Sequence, residues 1–220
     1  MKRFAILGDI NNKESTGFAT FLTAGQGLEI VNTDLDVNTF AVGFTACFTV
    51  TTGTILQNKT TSDAVVNWEV KFDKSALIYT DSVGDYSFTF SPSTGVVYKI
   101  FIYVIALKVF LFWSDNLGNS GNEEVIKTDT SAYDSRIIVG TSNSGERCAC
   151  YLRDLIFSYG ALTFANYKNL LFKKSDTFMF FPLRTDLVGL RNSSRVLIPG
   201  SFSGCSWGYV GNTDQAKKWL

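Results

Sequence analysis

Glu69 and Asp73, in the segment WEVKFDKS, are the carboxylates of this chain whose spacing comes nearest to a catalytic pair. Hydrolysis of a glycosidic bond needs two such groups facing one sugar, about 5 to 10 Å apart according to mechanism. On an extended strand, side chains four residues apart share a face, and Trp68 adjoins this pair. Lys71 shares the face too, which is the composition of a solvated strand surface with ion pairs, and the closely alternating Glu-Asp-Glu of a hydrolase strand is absent. The chain contains no His, so the usual general base at neutral pH and the commonest metal ligand are both missing, and Ser-His or Cys-His nucleophile chemistry is excluded. Cys47, Cys148, Cys150 and Cys205 lack the Cys-x-x-Cys spacing of zinc sites and read as small buried thiols. The residues point to a protein that is not an enzyme, with hydrolysis as a distant alternative.

The elements that must position any site are strands. Aromatics make up 15% of the 220 residues, with 19 Phe and 9 Tyr, and only 3 Pro, which leaves the turns to Gly, Asn, Asp and Ser. A chain of this length can bury one sizeable core. Extended segments are expected at 4–7, 19–23, 28–30, 39–50, 53–57, 65–72, 76–80, 86–91, 97–104, 107–114, 136–139 and 148–158, with turn residues between them. From Cys148 to Ser158 strict alternation places Cys148, Cys150, Leu152, Asp154, Ile156 and Ser158 on one face. Past Gly160, Leu162, Ala165, Tyr167, Leu170 and Leu171 recur at helical spacing, which predicts one short helix. The polar segment Asp115 to Asp134 predicts a long surface loop or an extended hairpin tip.

Several function classes are set aside by charge and hydropathy. Twenty Lys plus Arg balance twenty Asp plus Glu, so no global field draws the chain to nucleic acid or to an anionic membrane. The run IFIYVIALKVFLFW, Ile100 to Trp113, is shorter than the roughly 20 residues of a spanning helix and carries Lys108, so two buried strands, or one long one, are expected and membrane insertion is not. MKRFAILGDINNKES lacks the apolar core of a secretory signal, and synthesis in the cytoplasm is the expectation. The sequons Asn58-Lys-Thr and Asn192-Ser-Ser then carry no meaning.

Together the segments 21–50, 96–116 (VVYKIFIYVIALKVFLFWSDN) and 137–163 (IIVGTSNSGERCACYLRDLIFSYGALT) resemble the laminin G-like, or concanavalin A-like, jelly-roll family. The likeness covers roughly 18–172 and rests on degenerate patterns; no turn residue separates the strands near Ile105 to Leu107, where relatives show Gly or Asp. It implies an all-β, two-layer antiparallel jelly-roll sandwich with one short helix, spanning 1–174, followed by 175–220 as a closing strand and arm of the same domain. In that last piece the segment FMFFPL resembles the opening strand of such domains, and Trp207, Tyr209 and Trp219 are candidate partner-binding residues if the arm docks on a neighbour.

The resemblance also implies where function would lie. Relatives hold Ca²⁺ at the sandwich rim, and Asp115, Asn116, Asn119 and Asn122 form the matching oxygen-rich loop, as a glycan-binding or calcium site. The alternative is that these residues simply build turns, which is preferred because no second carboxylate can be placed beside Asp115. No cofactor other than this ion is expected. The expected role is a non-enzymatic structural or adhesion module, part of a phage-like virion as capsid decoration, fibre or tail component, binding other subunits and cell-surface glycans. A lectin-type glycan-binding module outside any virion is the alternative.

Overall fold

The structure, a computed structural model, describes residues 17–30, 39–59, 66–73, 76–128, 136–142, 144–159, 178–181, 183 and 203–209. The described residues form strands without a helix: β1 (Gly17–Phe21), β2 (Leu28–Ile30), β3 (Thr39–Phe48), β4 (Gly53–Lys59), β5 (Val66–Asp73), β6 (Ala76–Asp81), β7 (Asp85–Ser87), β8 (Val97–Ile105), β9 (Lys108–Asp115), β10 (Ser120–Ile126), β11 (Arg136–Val139), β12 (Cys150–Tyr159), β13 (Phe178–Phe181) and β14 (Ser206–Tyr209). The expected strand at 4–7, the short helix and Trp219 lie outside the described residues.

Two antiparallel sheets stack face to face. One runs β10-β9-β8-β3-β12-β1-β14, with β13 also paired to β12, and the other runs β2-β11-β4-β5-β6-β7. Alternation along β3 sends Phe40, Val42, Phe44, Ala46 and Phe48 inward, where they meet Trp68, Val70 and Phe72 of β5. Phe40 stacks on Trp68 with centroids 5.0 Å apart, and Phe48 meets Phe72 edge to face at 4.9 Å. Pairs of this geometry add about 0.5–1.5 kcal/mol each beyond the apolar area they bury. The jelly-roll sandwich expected from the sequence is the architecture observed.

Three local features depart from simple alternation. In β12 the register against β3 shifts between Arg153 and Ile156, and Asp154 takes φ 51°. Cys150 and Leu152 face the core before this bulge and Leu155 and Phe157 after it, so Ile156 lies on the face opposite to the one that strict alternation gives it. At the tip of the β8–β9 hairpin the pair Ile105–Lys108 leaves Ala106 and Leu107 as a two-residue loop, and Ala106 adopts φ 48° in the position where a Gly would be expected. The polar segment after Asp115 contains a strand, since β10 pairs along β9 from Ser120–Ser114 to Ile126–Lys108 and completes a hairpin.

An ion pair ties the two sheets together at the β7–β10 edge. Lys127, just past β10, reaches Asp81 at the end of β6 with Nζ and Oδ2 2.7 Å apart, and both side chains are almost wholly buried. The Asp81 Oδ1 atom accepts from the Val83 and Gly84 amides, which closes the β6–β7 turn, while the Lys127 ammonium stands 5.6 Å from the Tyr79 ring centre. Removing one partner strands a buried charge. Lys127→Met is therefore expected to lower unfolding free energy by about 3–5 kcal/mol in urea titrations, with the double variant Asp81→Asn/Lys127→Met recovering a large part.

Candidate functional site

The β8–β9 hairpin sets the residues of one end of the sandwich. Its register pairs Tyr98 with Asp115 and Ile100 with Trp113, so Tyr98, Trp113 and Asp115 project to the same, inner side of the sheet. Across from Trp113 stands Gly121 of β10, and a methyl group there would press into the indole at 2.7 Å from Nε1. The missing side chain lets the indole lie across the edge strand. Phe90, in the segment after β7, packs against the indole at 4.9 Å and against Tyr98 at 5.3 Å, and Tyr98 itself lies 6.2 Å from Trp113. Phe90 and Tyr98 are buried, whereas Trp113 is half-buried and keeps part of its ring in the open.

These rings floor a cleft of about 380 Å³. Thr89, Ser91 and Ser93 line one wall, Asn119 and Glu123 the other, and Val96 and Leu117 the mouth, with Leu117 64% exposed. Glu123 braces the walls by accepting the Thr89 amide through Oε2 at 2.5 Å, and the Ser93 amide donates to the Tyr98 hydroxyl at 2.9 Å. An apolar floor, a rim of hydroxyls, an amide and carboxylates, and a volume of this size suit a small polar ligand with one apolar face.

Asp115 shapes this cleft as a turn builder. Its Oδ1 accepts from the Leu117 and Asn119 amides at 2.9 and 2.8 Å, and its Oδ2 from the Asn119 side chain at 2.8 Å. Burial opposes ionisation of Asp115, yet these donors together with the Gly118 amide outweigh it and hold the carboxyl below its ordinary range. A carboxylate ringed by N–H donors does not fit a cation, and no group of three acidic or thiol ligands stands together among the described residues. Asn116 is likewise structural, accepting the Val97 amide at 3.3 Å. Of the four loop residues singled out in the sequence, Asp115 and Asn119 line the cleft, and Asn116 supports it from behind. Asn122 pairs with Phe112 on the opposite face of the sheet from Glu123 and is not part of it.

The carboxylates Glu69 and Asp73 are not brought together as a catalytic pair. They stand at the middle and the end of β5, about 13 Å apart along the strand. The ion-paired face expected here forms, with Lys71 half-buried and Asp73 exposed, but Glu69 itself is only 8% exposed. It accepts Thr54 Oγ1 at 2.5 Å and Gln57 Nε2 at 3.1 Å, and Lys71 Nζ lies 3.6 Å away. Lys71 also approaches Asp85, which takes the Thr80 hydroxyl at 2.6 Å, so this outer face is a connected polar network.

Among the cysteines, Cys47, Cys148 and Cys150 are buried, Cys205 is half-buried, and all four are free. Burial pushes the thiols of Cys47 and Cys205 up to about 11. Asn58 of the first sequon is fully buried, donating to the Arg136 carbonyl at 3.1 Å and accepting from Asn67 at 3.0 Å, which removes it as a glycan acceptor in the folded chain. The backbones of Trp207 and Tyr209 pair with Ala19 and Gly17, which makes β14 a strand of the main sheet.

Comparison with known proteins defines the class. No family model and no curated protein sequence matches the chain. Solved structures do. A Bacteroides ovatus protein to which carbohydrate binding is ascribed superposes with a TM-score of 0.64 at 12% identity, over 90% of this chain and 60% of its own. The heptameric pentraxin of Limulus polyphemus gives 0.58 at 14% identity, over 90% and 97%. Domains LG4–5 of the mouse laminin α1 chain give 0.51 at 18% identity, over 66% of this chain and 43% of that one, so this chain spans less than half of that laminin piece. The sandwich therefore has the laminin G-like, concanavalin A-like fold. At these identities the likeness is one of fold.

The Asp115 turn has a pH signature. A carboxyl held below its unfolded value adds stability that is present above about pH 3.8 and is lost as pH falls through its folded value. Asp115→Asn is expected to cost about 2 kcal/mol at pH 7. The difference from the parent should shrink as urea unfolding is repeated below pH 3.8.

Proposed function

We propose that this chain is a glycan-binding module whose site is the cleft between the segment 89–96 and the β9–β10 turn. The observation that carries the reading is the half-open Trp113 indole, backed by Phe90 and Tyr98 and ringed by Ser91, Ser93, Asn119 and Glu123. A sugar ring offers C–H groups on one face and hydroxyls around its edge, which is the complement of an aromatic floor with a hydrogen-bonding rim. The carbohydrate binding ascribed to the Bacteroides ovatus protein of the same fold supports this choice of ligand.

Binding is favoured over hydrolysis by the state of the two carboxylates in the cleft. Asp115 has both oxygens engaged by N–H donors and a lowered proton affinity, the reverse of what a general acid needs. Glu123 is itself engaged, its Oε2 accepting the Thr89 amide at 2.5 Å. The proposal concerns the module itself, and the virion setting expected from the sequence is not needed for it.

A printed glycan array followed by calorimetry on the best ligand tests the reading. Trp113→Ala is expected to weaken that ligand about 30-fold or more, as loss of a central aromatic contact does. A ligand whose affinity is unchanged in Trp113→Ala, or an array with no binding at all, overturns it.

A further inference from the structure

We infer that the cleft selects uncharged glycans and rejects those bearing carboxylate or sulfate groups. This deepens the proposed glycan-binding reading and rests on it. Two carboxylates, Asp115 and Glu123, line the cleft, and among the described residues no Lys or Arg does. The Asp115 carboxylate is fixed in place by its turn and cannot swing away from an incoming anion. Glu123 is tethered through Oε2 to the Thr89 amide and lines the cleft as an acceptor for a hydroxyl.

An anionic substituent over the indole would meet both carboxylates, with no Lys or Arg among the described lining residues to pair it. At separations of several ångströms, in the reduced dielectric of a half-buried cleft, like charges repel by an amount that reaches about a ten-fold loss of affinity. A hydroxyl in the same place gains a hydrogen bond to Glu123, to Asn119 Oδ1 or to the serines. Discrimination of this kind works by repulsion of the wrong ligand as much as by contacts to the right one.

The test is an array of neutral hexose and N-acetylhexosamine glycans printed beside the same backbones carrying sialic acid, glucuronic acid or sulfate, read with the parent chain, Glu123→Gln and Trp113→Ala. The inference expects at least a ten-fold preference for the uncharged member of each pair, a Trp113-dependent signal, and a gap that narrows severalfold in Glu123→Gln. Raising the salt concentration should also narrow the gap by screening. Trp113-dependent binding in which the anionic member is equal or stronger overturns the selectivity and leaves the binding module standing. Absence of binding to every printed glycan overturns both.

Discussion

The register of the β8–β9 hairpin is the constraint on which the cleft depends. With Ile105 paired to Lys108, every second residue from Tyr98 to Val104 and from Val109 to Asp115 faces inward. A slip of one residue would send Tyr98, Trp113 and Asp115 to the other side of the sheet and remove floor and turn together. The two-residue loop at Ala106 and Leu107 leaves little freedom for such a slip. At the far end of the hairpin the Asp115 carboxylate locks the next turn and so fixes the pairing of β10, which in turn presents Gly121 to the indole and Glu123 to the rim.

The remaining structure holds that hairpin against the opposing sheet. The Phe40–Trp68 and Phe48–Phe72 contacts join the central strands of the two layers, and Phe48 also approaches Tyr98 at 6.4 Å, which carries the core up to the floor of the cleft. At the outer edge, the Asp81–Lys127 pair and the Thr89–Glu123 hydrogen bond tie β6 and the segment after β7 to β10. The cleft therefore lies where two sheet edges are clamped, a rigid setting for a site that depends on ring placement.

Most of the fold was legible because the strands announce themselves by alternation and β-branched or aromatic content. The strands at 28–30 and 136–139 have the very bounds expected, and those at 39–50, 76–80, 97–104 and 107–114 differ from expectation by a residue or two. The β12 bulge was hidden, since Asp154 at φ 51° carries no local mark, and the Ala106 turn was hidden because an Ala stands where a Gly signals. Strand β10 was legible only as a long loop or an extended hairpin tip, because its residues are polar on an edge that needs no second apolar face. Asp115 and Asn119 were visible as a polar cluster. Trp113, Phe90, Tyr98 and Glu123 were not, because they converge only through cross-strand pairing; the signal available was Trp113 two residues before Asp115, which places both on one face. Glu69 misled because its partners Thr54 and Gln57 come from a neighbouring strand.

The central claim is that glycan contact occurs at Trp113 and the rim around it. The most direct measurement is amide and indole N–H chemical-shift mapping of the ¹⁵N-labelled chain during titration with the best uncharged glycan from the array. The account predicts that the Trp113 indole and the backbone amides of Ser91, Ser93, Asn119 and Glu123 shift together and saturably. Shifts confined to another surface, such as the Glu69–Lys71–Asp85 face, with the Trp113 indole unmoved, would contradict it.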